Sequence, residues 1–74
     1  MIYFVFETQV TKDKKTGKET SAVNVFSFDN KKDAESKYHE ILMYGAKSDI
    51  YKHGAILFTE DMFIIKSEVY THND

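Results

Sequence analysis

One amphipathic segment, residues 30 to about 48, lies between two pairs of strand-like segments, and this restricts the chain to a single sheet carrying a single helix. A sheet has two faces and one helix covers only one of them. The pattern therefore predicts a second face, apolar and aromatic, that nothing in the chain buries.

The strands follow from alternation. From Ile2 to Val10, Ile2, Phe4, Phe6, Thr8 and Val10 share one side, and Tyr3, Val5, Glu7 and Gln9 the other. A polar run from Thr11 to Thr20, in which Gly17 can take positive φ, reads as a hairpin tip. A second strand spans about Ser21 to Phe28, with Val23 and Val25 on one side and Asn24, Phe26 and Phe28 on the other. The helix begins at Asn30, where Asp33 three residues on resembles a capping box. At 100° per residue Ala34, Tyr38, Ile41, Leu42 and Gly45 form one stripe. Residues 51–59 form a third strand, a polar turn follows at 59–62, and residues 63–72 form a fourth. There Phe63, Ile65, Ser67 and Val69 alternate with Ile64, Lys66, Glu68 and Tyr70.

The fold class expected is α+β, with elements β-β-α-β-β. The right-handed crossover makes the second and third strands parallel in direction, so the first strand fits between them. The four-stranded antiparallel sheet then has the order 2-1-3-4, with the most apolar strand central and one helix on one face.

Seventy-four residues, 1–74, make a single domain of a size at which folding removes only about 60% of the chain's surface from water. Without cysteine there are no disulfides or thiolate zinc sites, so further stability must come from packing or association. Eleven aromatic rings, five Tyr and six Phe, are many for so small an interior, which points to a homo-oligomer. Tyr3, Val5, Val23 and Val25 on the sheet, with Met43 and Tyr44 on the helix, are the expected oligomer or partner surface.

A net charge of -2 gives no field to gather nucleic acid or an anionic membrane. All ten basic residues are lysine, so the bidentate fork that grips phosphates and guanine edges is missing. The apolar start, residues 1–6, lacks a basic flank and runs into strand alternation, so it is read as neither signal peptide nor membrane span, and a cytoplasmic protein is expected.

No residue pattern carries chemistry. Glu35 and His39 at i, i+4 supply at most two ligands of the three or four a metal needs, so no metal and no cofactor are expected. No serine sits in a glycine-flanked elbow, no carboxylates are paired in an apolar setting, and Gly17, Gly45 and Gly54 form no phosphate loop. The chain is therefore expected not to be an enzyme; a pocket holding His39 or His53 beside a buried carboxylate would point the other way. His39, His53, Tyr70 and His72 are the residues that could contact a ligand, with a solvated edge as the plainer reading of Glu68, Tyr70 and His72.

The stretch Phe28 to Leu42, with Ala34-Glu35-Ser36-Lys37-Tyr38-His39 at its centre, and then Ile65 to Tyr70, resembles a group of small uncharacterised proteins encoded by phages and prophages of gut Firmicutes. That resemblance spans most of the chain outside the lysine-rich hairpin. It implies a phage accessory protein acting in the host cytoplasm by binding: counter-defence by occluding a host protein, or by sequestering a nucleotide signal between subunits. The alternative is a weak nucleic-acid-binding or regulatory module using the hairpin lysines and the sheet aromatics.

Overall fold

The structure, a computed structural model, describes residues 1–72. Strands β1 (Tyr3–Lys12) and β2 (Glu19–Phe28) form a hairpin, helix α1 (Lys31–Lys47) follows, and β3 (Lys52–Thr59) and β4 (Ile64–Thr71) form a second hairpin. The sheet order is β2-β1-β3-β4, and every neighbouring pair is antiparallel, the order expected from the crossover rule and the apolar first strand.

The first hairpin is longer than its polar composition suggests. Thr11 and Thr20 face each other across the strands with their hydroxyls 2.6 Å apart, so pairing continues to Lys12 and Glu19. The turn closes on Asp13, whose carbonyl accepts from the Gly17 amide at 2.7 Å and whose carboxylate accepts from the Lys15 amide at 2.8 Å. Gly17 has φ +73, the left-handed conformation open to a residue without Cβ.

Helix α1 starts where the cap chemistry places it. Asn30 Oδ1 accepts from the Asp33 amide at 2.9 Å, while Asn30 Nδ2 donates to the Asp33 carboxylate at 2.9 Å. The second bond is side chain to side chain, where a capping box returns to the cap's own amide. The helix runs through Gly45 to a cap at Ser48.

The core lies between α1 and the two central strands: Val5, Ala55 and Leu57 from the sheet, Ala34, Tyr38 and Ile41 from the helix. Tyr3, Phe26, Phe28, Leu42 and Ile65 pack around it. This corrects the expected oligomer surface at two positions. Val5 is fully buried beneath the helix, and Tyr3 packs half-buried against the core on the same side. Volume is the reason. The inner stripe of the helix includes Ala34 and Gly45, which bring its axis close to the sheet, and the side that accepts so close a helix carries valine and alanine rather than Phe4 and Phe6.

Two glycines measure how tight this packing is. A Cβ on Gly54 would lie 2.9 Å from the Glu68 carbonyl oxygen and 3.1 Å from Val69 Cβ, so Gly54→Ala should push β4 away and cost roughly 1–3 kcal/mol. A Cβ on Gly45 would meet His53 at ordinary contact distances of 3.4–3.5 Å, and Gly45→Ala in a helix interior should gain up to about 1 kcal/mol. Thermal melts of the two variants should move in opposite directions.

A bulge breaks the expected alternation of β4. Leu57 pairs with Lys66 but Phe58 pairs with Ile64, leaving Ile65 as the extra residue, packed against the core. Ile64 thereby joins the outer face, opposite to the side that strict alternation gives it. The connecting turn places Met62 at φ +66, a conformation that favours glycine, with the Met62 amide bonded to the Thr59 carbonyl at 2.9 Å. Met62→Gly should raise the free energy of unfolding by about 1 kcal/mol, read in a denaturant titration.

Candidate interaction surface

The side of the sheet away from α1 has no cover from the described residues. Phe4, Phe6 and Phe58 form a ring cluster there, with Phe4 and Phe58 stacked at 5.4 Å between centroids and Phe6 edge-on to Phe58 at 5.0 Å. Ile56 lies between them and β4, and Val23, Val25, Ile64 and Val69 are each more than half exposed. Outside the paired strands of this face, the β3–β4 turn exposes Met62 at 73% and Phe63 at 68%. Such a contiguous apolar surface is uncommon on a small monomeric domain.

Of the surface residues expected from sequence, Val23 and Val25 belong to this face, paired across from Thr8 and Phe6. Met43 and Tyr44 are exposed on α1, on the opposite side of the molecule. Alternation puts Phe4 and Phe6 on the same side of β1, but nothing in a period of two tells which side the helix takes.

The residues considered for ligand contact separate. His39 is exposed on α1, its ring 5.5 Å from that of Tyr38, and with Tyr70 it lines a shallow groove of about 550 Å³ between α1 and β4. Glu35, its i, i+4 neighbour, bonds instead to Lys66 of β4 at 3.1 Å, and this lysine holds the Glu35 carboxyl below the usual range. His72 lies in a second groove with Lys12, Asp49 and Tyr51, and its Nε2 bonds to the Gly45 carbonyl at 2.9 Å. Among the described residues no three His, Asp or Glu side chains gather to hold a metal ion.

His53 is buried, and its Nε2 lies 2.7 Å from the Glu7 carboxylate, a pairing that no local spacing announces because the residues are 46 positions apart. Glu7 also accepts from Asn24 Nδ2 at 2.9 Å. Burial raises the Glu7 carboxyl, but hydrogen bonds from Asn24, His53 and Gln9 outweigh it and hold the group below its ordinary value. With Nε2–H donating to Glu7, Nδ1 is the nitrogen that would serve as a base. It is buried without a hydrogen-bond partner among the described residues and faces Gly45 of the helix, and neither groove is lined by His53 or Glu7. The pair is thus a histidine–carboxylate couple sealed inside the fold, in position to fix β1 against β3.

No helix among the described residues is long and apolar enough to cross a membrane. Compared with protein-family models, with curated proteins and with solved structures, the chain matches none.

Proposed function

We propose that this chain is a non-enzymatic binding protein that works as a homo-oligomer, of the phage accessory type, acting in the host cytoplasm to occlude a host defence protein. The observation that carries this reading is the uncovered sheet face, in which the ring cluster of Phe4, Phe6 and Phe58 is flanked by exposed Val23, Val25, Ile64 and Val69. Four strands about 4.8 Å apart and eight residues at about 3.3 Å give that face an extent on the order of 500 Å². Two such faces meeting bury about 1,000 Å², at the lower bound for specific association.

Capture of a nucleotide signal has less support in the geometry. It calls for an enclosed cleft at a symmetry axis where Tyr, His and Lys converge, whereas the places that gather these residue types, Tyr38, His39 and Lys66 in one and Lys12, Tyr51 and His72 in the other, are surface grooves of the single chain. Nucleic acid binding has less support too: the hairpin lysines 14, 15 and 18 lie beyond one end of β1, while Phe4 stacks on Phe58 near the other.

Light scattering on the purified chain tests the reading. A mass at a multiple of 8.6 kDa is expected at micromolar to submillimolar concentration. A mass of 8.6 kDa throughout would exclude self-association. A melting temperature raised by a panel of cyclic nucleotides would move the reading to ligand sequestration.

A further inference from the structure

β4 lies at one end of the sheet, and among the described residues no strand stands beside its outer backbone. The His72 amide donates to the Tyr51 carbonyl at 2.8 Å, so the backbone of His72, and of Tyr70, Glu68 and Lys66 at alternate positions, points toward β3. The amides and carbonyls of Ser67, Val69 and Thr71 therefore point outward, and all three residues are exposed. An extended chain is what matches a row of donors and acceptors at this spacing.

A groove runs along the same edge. Glu35 bonds to Lys66 at 3.1 Å and His72 to the Gly45 carbonyl at 2.9 Å, so α1 lies alongside β4 and runs in the same direction. The space between them, about 550 Å³, is polar at Lys66 and Glu68 and apolar toward Tyr70, where Met43 and Ala46 form the helix wall. At the opposite edge the helix is bridged to the sheet, since the Lys37 ammonium of α1 lies over the Phe26 ring of β2 at 4.4 Å. Free backbone and open groove thus coincide at β4 and not at β2.

We propose that the β4 edge takes up an extended segment of another protein, antiparallel to β4, with every second side chain of that segment entering the groove. The inference rests on the reading of the chain as a binding protein, and it leaves the phenylalanine face to join copies. Lys66, Glu68 and Tyr70 share the groove side, so charge and apolar contact define the segment. An acidic residue stands opposite Lys66, a basic one opposite Glu68, and an apolar one opposite Tyr70 within reach of Met43 and Ala46. From its N-terminus the segment reads apolar, any, basic, any, acidic. Lys66 has donors beyond the one given to Glu35, so it can hold both carboxylates. A second copy's β4 carries Lys66 and Glu68 in this order, but the bulge turns its Ile64 to the outer face, which leaves the apolar position empty.

The probe is the peptide Thr-Leu-Thr-Lys-Thr-Asp-Thr, capped at both ends and added to the isotope-labelled chain while amide exchange is followed by NMR. Exchange at Ser67, Val69 and Thr71 should slow, and exchange at Val23 and Val25 of the other edge strand should not. A peptide with Lys and Asp exchanged should bind about tenfold more weakly, and the double variant Lys66→Glu, Glu68→Lys should reverse that preference. Equal affinity for the two peptides would overturn the assigned segment. No slowing at these amides up to millimolar peptide would overturn the strand site, and a multimeric mass on the same sample would leave the oligomer reading standing. Slow exchange there before peptide is added, lost on dilution, would give the edge to a second copy and overturn the proposal as well. Peptide binding at a mass of 8.6 kDa would uphold the strand site and remove the oligomer reading.

Discussion

Val5→Asp should abolish the folded protomer, whereas Phe6→Asp, one residue along the same strand, should leave it folded and only separate the copies. Val5 is 0% exposed, enclosed by Leu57 and the helix stripe, and no cation lies in that cluster to pair with a carboxylate. An unpaired buried charge costs more than about 5 kcal/mol, or the site must protonate and still lose a hydrogen bond. A domain of this size has roughly 5–10 kcal/mol of total stability, so the variant should show no cooperative melt by circular dichroism. Phe6 points the other way. Its aspartate meets water on the uncovered face, the protomer loses about 1–2 kcal/mol with the ring contact to Phe58, and scattering should report 8.6 kDa at concentrations where the parent chain is larger. Were Val5→Asp to fold normally and Phe6→Asp to unfold, the assignment of the two faces would have to be exchanged.

The second large effect is expected at Glu7. Glu7→Ala leaves the buried His53 ring with both nitrogens unpartnered and should cost on the order of 2–4 kcal/mol, measured by denaturant titration. Glu7→Gln keeps an acceptor for Nε2–H and should cost less. Their pH dependence separates a charged role from a merely packed one. The Glu7 carboxyl is lower in the folded protein than in the unfolded chain, so its stabilisation is present above the unfolded value, near 4.5, and is lost as pH falls through the folded value. The melting temperature of the parent chain should therefore drop below about pH 4.5 more steeply than that of Glu7→Gln. The slope that remains in the variant includes Glu35, which Lys66 holds down in the same direction. Parallel profiles for the two proteins would mean that Glu7 is held by packing and not by its charge.

Much of the architecture is written in local chemistry. Asn30 and Asp33 start the helix and its stripe of Ala34, Tyr38, Ile41 and Gly45 turns inward, as helical periodicity requires. Gly17 takes the left-handed turn position that a hairpin tip needs. Strand order follows once crossover handedness and antiparallel hairpins are combined, since few topologies satisfy both. These features depend on spacings of two to four residues, or on rules that hold for all chains of L-amino acids.

The rest depends on volume and on distant contacts. Alternation divides β1 into Phe4 and Phe6 against Tyr3 and Val5, but the division is symmetric, and hydrophobicity alone favours putting the rings inside. The fold puts them outside because a helix lying close on Gly45 and Ala34 leaves room over the central strands for Val5, Ala55 and the His53–Glu7 pair, while the phenylalanines of this side, Phe26 and Phe28, stand at the edge on β2. The bulge that turns Ile65 inward and Ile64 outward arises from the register between β3 and β4, which no residue of β4 specifies by itself. Sequence alone determined that one side of this sheet goes uncovered, because one helix covers one face. Only the packed structure decided which side, because that choice is made by how closely two surfaces separated in the chain can approach.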